Sequence, residues 1–243
     1  MKLFISLILL LNTIVLPAQL TKPVLQESGD QFSRIITKFF VLKDNEAIKH
    51  GVWQRFRNDK LIEEGAYNMN RKDSTWKTYN NEKLLAVREY TDGERVGNWK
   101  FFKQDGSVEW EYDWTSLTLS GKPLQLPLSA YQGENGKWIS DKTENKVIRL
   151  SGLHEWISFL NQTLRYPMEA IDNEVQGTVE VEITMDENGM PVEYGIAGKA
   201  PKQLVRESLR VVQLNMPETV PFELNGKKVK VKIRIPVTFR LEN

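Results

Sequence analysis

Apolar and polar residues alternate along the last segment of the chain, from residue 228 to residue 241. This period of two is typical of a strand that buries one face and exposes the other. The polar face is mainly basic, and the apolar face comprises Val229, Val231, Ile233, Ile235, Val237, Phe239 and Leu241. We therefore predict a long closing strand. Pro236 favours an edge or bulge position, because proline cannot donate to a β-ladder.

Strict alternation also predicts a strand over residues 177–185, followed by a polar turn that ends on Gly189 and a returning strand at 190–196. Glu180 and Glu182 lie on the polar face of the first of these strands. Because the closing strand carries Lys230 and Lys232 on its own polar face, the pattern favours antiparallel pairing with cross-strand ion pairs. This pairing would leave the closing strand at the edge of the sheet.

Two helices complete this pattern. Apolar residues recur at helical spacing over 153–164, with Ile157 on the apolar stripe and Ser151 as a plausible N-cap. Pro167 predicts the end of this helix, and Pro201 opens a second, amphipathic one. The order helix, strand, strand, helix, strand predicts an α+β domain over residues 150–243, with two helices on a three-stranded antiparallel sheet.

An internal repeat precedes this domain. Trp53, Trp76 and Trp99 are spaced 23 residues apart, and each is followed by a polar turn and further aromatic residues. A single hairpin cannot bury its aromatic residues, so the repeat predicts stacked β-hairpins in an all-β domain over residues 37–149. The regular spacing favours core tryptophans over an aromatic sugar-binding surface. Residues 117–136, with several leucines and prolines, are predicted to be a connecting arm packed against another element.

This block resembles MORN-like repeats in their G-x-W form. The matching residues are Gly51-Val52-Trp53, Gly65-Ala66-Tyr67 and Gly97-Asn98-Trp99, whereas the middle unit has Ser74-Thr75-Trp76. The resemblance implies a continuous sheet built from successive hairpins.

The first 18 residues have the pattern of a secretory signal peptide. Lys2 precedes a short apolar run, and Ala18 offers a small residue for cleavage. An uncleaved membrane anchor stays open as an alternative, although the run is shorter than the roughly 20 residues that span a bilayer. Residues 19–36 show no periodicity and are predicted to be a leader. We expect an exported protein that resides in the periplasm.

Composition narrows the classes of function. The net charge of +1 gives no reason to expect a nucleic-acid partner. The chain has no cysteine, which excludes disulfides, thiolate metal sites and a cysteine nucleophile. Its two histidines, His50 and His154, have no partner at metal-ligand spacing, and no hydrolase, metalloprotease or phosphate-loop motif is present. We therefore predict a protein that is not an enzyme and uses no cofactor or metal.

The C-terminal pattern is similar to the C-terminal domain of TonB, the energy transducer of outer-membrane transport. The resemblance covers residues 152–243 and rests on Tyr166-Pro167 followed by Ala170, on the strand–turn–strand pattern and on the basic closing strand. In that family the domain captures a short receptor segment as an extra strand beside its final one. The resemblance implies these partner-binding residues: Tyr166, Pro167, Lys228, Val229, Lys230, Val231, Lys232, Ile233, Arg234 and Ile235.

Simpler interpretations of these residues stay open. Tyr166-Pro167 could only terminate a helix, and the lysine row could be a solvated face that prevents aggregation. TonB carries a membrane anchor and a long proline-rich spacer, whereas this chain has 10 prolines, none in a run. We therefore expect a periplasmic adaptor that binds an envelope protein or outer-membrane receptor peptide. The alternatives are an anchored transducer subunit coupled to a proton-driven inner-membrane motor and a self-associating scaffold, a possible homodimer through the last strand.

Overall fold

The computed structural model describes residues 20–30, 33–142, 145–215 and 217–241. The predicted signal peptide lies outside these residues. The chain divides into two compact units. The first comprises the chain up to Trp76 together with Tyr90–Arg95. The second comprises Lys77–Glu89 and the chain from Val96 onward.

Nine strands in chain order form the first sheet. They are β1 (Thr21–Asp30), β2 (Ser33–Leu42), β3 (Lys49–Arg57), β4 (Lys60–Asn68), β5 (Arg71–Asn80), β6 (Lys83–Thr91), β7 (Glu94–Phe102), β8 (Val108–Asp113) and β9 (Thr118–Gly121). The predicted hairpins are present, with β3 and β4 joined at Asn58 and Asp59 in the left-handed conformation that such tight turns require. The predicted leader was wrong in part, because residues 21–30 and 33–36 lie in β1 and β2.

Tryptophans form the core of the repeat. In the first unit Trp53 and Trp76 are buried, with ring centroids 5.3 Å apart. Gly65 makes room for this packing, because a Cβ there would lie 2.3 Å from the Trp76 ring. In the second unit Trp99 is fully buried, and its indole N–H donates to the Glu89 carbonyl at 3.0 Å. Side chains buried in this way are core residues, not an exposed sugar-binding platform.

The second sheet has six strands, not the three that the sequence predicts. They are β10 (Gln125–Gln132), β11 (Trp138–Ser140), β12 (Lys146–Ile148), β13 (Gly177–Met185), β14 (Pro191–Ile196) and β17 (Val231–Phe239). The order is β11-β10-β17-β13-β14, and β12 also pairs with β10. A two-stranded hairpin, β15 (Glu223–Leu224) and β16 (Lys227–Lys228), precedes β17.

Part of the predicted connecting arm therefore belongs to this sheet. Leu126 and Leu128 of β10 are buried in the same core as β13 and β17, which confirms the prediction that the leucines of the arm pack against another element. The sequence analysis did not predict that β10 also pairs, through its backbone, with the closing strand.

Three helices of the described residues, not the two that the sequence predicts, pack on this sheet or its ends. They are α1 (Leu153–Thr163), α2 (Met168–Asp172) and α3 (Lys202–Asn215). α1 ends before Tyr166 and Pro167, as predicted. Its N-cap is Gly152 instead of Ser151, and the Gly152 N–H donates to the Glu155 carboxylate at 3.4 Å. Ile157, predicted to lie on the apolar stripe, is 45% exposed.

Candidate functional site

The closing strand β17 pairs with β13 along its whole length. The register runs from Gly177 opposite Phe239 to Met185 opposite Val231, which confirms the predicted antiparallel pairing. Odd-numbered residues of β17 are buried and even-numbered residues are more exposed. The sheet therefore has a core face and a polar face, as the alternation predicts.

Hydrogen bonds on the other side of β17 show which backbone groups point away from β13. The Lys230 carbonyl accepts from the Gln132 N–H at 2.9 Å, and the Lys232 carbonyl accepts from the Ser129 hydroxyl at 3.0 Å. Because successive residues of a strand point to opposite sides, the backbone groups of Arg234, Pro236 and Thr238 also point away from β13.

β10 occupies only the first part of this side. It pairs with β17 at Val231, Lys232 and Ile233, with a register shift at Ser129, between the partners of Lys232 and Ile233. The prediction that the closing strand is an edge strand is therefore wrong for residues 231–233. Burial of Leu126 and Leu128 holds β10 in this position, because its removal would expose two core side chains at about 1.5–3 kcal/mol each.

Residues 234–239 of β17, here called the open segment, have no strand beside them on the β10 side within the part of the chain that the structure describes. The open segment spans about 20 Å of extended chain. At its start, the pairing of Leu128 with Ile233 places the Arg234 N–H against the Pro127 carbonyl. The outward backbone therefore offers the N–H group of Thr238 and the carbonyls of Arg234, Pro236 and Thr238. Pro236 lies here and not beside β10, in agreement with the edge position that the sequence predicts for it.

The polar face beside the open segment carries charges of both signs, and these are partly paired. Glu182 accepts from Lys232 at 3.1 Å and from Arg234 at 3.3 Å. The sequence predicts cross-strand ion pairs between two glutamates and two lysines. Glu182 and Lys232 form such a pair, while Glu180 lies opposite Pro236. One carboxylate, Glu182, is thus shared by two cations. Both ion pairs are partly exposed, so each contributes little to stability.

Tyr166 lies at the end of β17 that belongs to the open segment. Its ring contacts that of Phe239 edge-on, with centroids 5.4 Å apart, and its hydroxyl donates to the Val175 carbonyl at 2.8 Å. Pro167 is the N-cap of α2. Tyr166 therefore helps to fix the Phe239 end of the strand, about 35 Å of extended chain from Lys228.

The predicted binding residues thus fall into three groups. Tyr166 and Pro167 lie at the far end of β17. The first part of the predicted docking edge is already paired within the molecule, either in or next to the β15–β16 hairpin or between β10 and β13. This part comprises Lys228, Val229, Lys230, Val231, Lys232 and Ile233. Arg234 and Ile235 belong to the open segment, where Arg234 is exposed and Ile235 is buried.

A charged cluster that the sequence analysis did not find ties α1 to β6 within the second unit. Arg88 donates to both Glu155 carboxylate oxygens at 2.8 Å and to the Thr78 hydroxyl at 3.0 Å. Both partners of the ion pair are largely buried. Near the far end of the helix, Gln162 donates to Asn80 at 2.9 Å. These contacts hold α1 against residues 77–89 of β5 and β6, which belong to the same unit.

Arg149 is the third charge of this cluster and is 1% exposed. Its guanidinium lies 4.0 Å from the Trp156 ring centroid and donates to the Asn215 amide oxygen. Burial lowers the pKa of Arg149 to about 9, an effect that Glu155 opposes and Arg88 reinforces. Nothing in the local sequence distinguishes Arg88, Glu155 or Arg149 from surface charges, because only the tertiary structure brings them together.

Within the described ranges, no group of three or more metal-ligating side chains of the His, Cys, Asp and Glu types comes together. None of the helices in the same part of the chain has the length and hydrophobicity of a transmembrane span.

Comparison with known proteins bears on the C-terminal region. No curated protein and no solved structure matches the chain. The family model described as Gram-negative bacterial TonB protein C-terminal does match residues 162–241, which supports a TonB-like C-terminal domain in this part of the chain.

Proposed function

We propose that the C-terminal domain binds an extended peptide of an envelope partner by adding it as a strand beside the open segment of β17. The observation that carries the proposal is the row of outward backbone groups at Arg234, Pro236 and Thr238, beside which no described strand lies. An extended peptide satisfies such groups through main-chain hydrogen bonds. This edge is shorter than the one that the sequence predicts and begins at residue 234.

The backbone alone supports only weak binding. The open segment offers one donor and three acceptors, because Pro236 has no N–H and the Arg234 N–H faces the Pro127 carbonyl. Four hydrogen bonds at about 0.5–1.5 kcal/mol each do not exceed the cost of immobilising a peptide. Side-chain contacts must therefore supply selectivity. Arg234 is exposed and shares the Glu182 carboxylate with Lys232, so an acidic side chain in the peptide fits this position.

We further propose that the protein acts in the periplasm, in connection with TonB-dependent transport, and that its role is binding instead of catalysis. The match of residues 162–241 to the TonB C-terminal family supports the link to transport. The mature N-terminus tests the location. A chain that begins at Gln19 supports an exported adaptor, whereas retention of Met1 supports the anchored transducer.

A proline substitution tests the binding edge. Proline at Val231 or Ile233 would break the ladder with β13, but Thr238→Pro removes an outward N–H that this ladder does not use. Pro236 shows that the strand accepts proline at an outward position. The probes are synthetic peptides that cover the periplasm-facing segments of outer-membrane receptors from the same bacterium, and fluorescence anisotropy with the mature chain reports binding.

We expect Thr238→Pro to weaken peptide binding at least about tenfold while the melting temperature stays near that of the wild type. The matched control is Tyr194→Pro, which places the same substitution at an outward position of β14 on the opposite edge of the sheet. Equal affinity of the wild type and Thr238→Pro, or an equal loss in both variants, would contradict binding at the open segment.

A further inference from the structure

β14 forms the other edge of the second sheet. Ala197 N–H donates to the Glu180 carbonyl at 2.9 Å, and Gly195 and Glu193 lie opposite Glu182 and Thr184. By alternation, the backbone groups of Tyr194 and Ile196 point away from β13. No strand in the described ranges pairs with this side. A bulge at the start of β14 takes Val192 out of the regular ladder.

Beyond Pro191 and the bulge, no proline interrupts this edge over residues 193–197. Edge strands are commonly blunted by an outward proline, as Pro236 does in the open segment. At β14 both outward residues, Tyr194 and Ile196, keep an N–H donor and a carbonyl acceptor. Their side chains pack against the core cluster and are only half-buried. The edge therefore combines free backbone groups with apolar side chains.

We infer that β14 pairs antiparallel with β14 of a second copy of this chain, about a two-fold axis at Gly195. In this register Tyr194 of each copy lies opposite Ile196 of the other, so the outward groups of both copies form four hydrogen bonds. Tyr194 and Ile196 are an aromatic and a β-branched residue, a favourable cross-strand pair. The two sheets then continue into each other, and the bulge stays outside the pairing.

Charge and space on the polar face agree with this register. Glu193 is the one charged residue of residues 193–197. In this register it lies opposite Ala197 of the second copy, not opposite Glu193 of the second copy. The two glycines at position 195 meet at the axis. A methyl group added at Gly195 would meet no atom within 4 Å in the monomer, so the polar face above the axis is open to side chains. A pairing centred on Glu193 would place two carboxylates face to face.

The interface is one short strand pair, so association is expected to be weak and dependent on concentration. Light scattering and sedimentation velocity of the mature chain from about 10 μM to about 1 mM measure it. We expect the mass of the wild type to rise from monomer towards dimer over this range. Tyr194→Pro removes an outward donor and should stay monomeric, whereas Thr238→Pro, at the other edge, should associate like the wild type.

A charge exchange at the axis tests the register. Gly195→Lys and Gly195→Glu each place like charges face to face in the dimer, and each variant alone should associate about tenfold more weakly than the wild type. An equimolar mixture of the two should restore association, because the introduced lysine of one copy then faces the introduced glutamate of the other. Unchanged melting temperatures show that both variants fold. A wild type that is monomeric throughout, a mixture as weak as the separate variants, or equal loss in Thr238→Pro would overturn the inference.

Discussion

Glu180 and Pro236 face each other across β13 and β17. The Glu180 carbonyl accepts from Ala197 on the β14 side, so this pair exchanges no hydrogen bonds. Pro236 therefore lacks its N–H at a position where the ladder with β13 does not use one. The missing donor weakens only the outward side of the strand, where we propose that a peptide is added.

Pro236→Val should therefore strengthen peptide binding. The substitution supplies a second available outward N–H in the open segment, beside that of Thr238, and one additional hydrogen bond of about 0.5–1.5 kcal/mol corresponds to an affinity about 2- to 13-fold higher. Fluorescence anisotropy with the receptor peptides measures the change. An affinity equal to that of the wild type would indicate that the peptide does not pair with this side of β17.

The ion pair between Arg88 and Glu155 should stabilise the attachment of α1 to β6. Glu155→Gln leaves Arg88 and Arg149 largely buried without a counter-charge, and we expect a loss of about 3 kcal/mol in the free energy of unfolding. Glu134→Gln is a suitable control, because its pair with Lys227 is exposed and should contribute less than about 0.5 kcal/mol. Urea unfolding measures both variants, and equal effects would show that the buried pair has no special role.

Arg149 should give the stability a dependence on alkaline pH. Since burial lowers its pKa to about 9, the unfolded chain binds more protons than the folded chain between about pH 9 and the ordinary arginine pKa of 12.5. Its contribution to stability therefore rises with pH in this window, by at most about 1.4 kcal/mol per pH unit.

The comparison with Arg149→Met isolates this effect from the titration of lysines and tyrosines. The free energy of unfolding of the wild type minus that of the variant should increase between about pH 8 and about pH 10.5. A difference that is constant over this range would show that Arg149 stays fully charged in the folded protein.

Gly65→Ala should disrupt the tryptophan core of the first unit. The added Cβ would lie 2.3 Å from the Trp76 ring, and overpacking of this kind costs about 1–3 kcal/mol. Gly195→Ala makes the same change in β14, where nothing lies within 4 Å of the added group, and should not destabilise the protein. Unfolding in urea compares the two variants, and similar stabilities would argue against close packing at Gly65.

Much of this fold follows from local pattern. Alternation predicts β13, β14 and β17, and the spacing of Trp53, Trp76 and Trp99 predicts the buried repeat core. β10 escaped prediction although Leu124, Leu126 and Leu128 alternate with other residues, because Pro123 and Pro127 indicated an irregular arm. Pro127 is tolerated since it follows the same rule as Pro236, being paired with a strand on only one side.

The candidate site was predictable only in outline. Pro236 marked the position where β17 becomes an edge, but the extent of that edge depends on where β10 leaves it. This depends on contacts between residues about a hundred positions apart, such as Ser129 with Lys232. The Arg88–Glu155–Arg149 cluster likewise depends on tertiary structure.

Amide hydrogen exchange, measured by NMR with and without a bound receptor peptide, tests the central claim most directly. The N–H group of Thr238 points away from β13, so it should exchange rapidly in the free protein and become protected when a peptide pairs with it. The N–H groups of Ile235 and Val237 should be protected in both states. Binding that leaves Thr238 unprotected, or that protects Tyr194 and Ile196 instead, would contradict strand addition at the open segment.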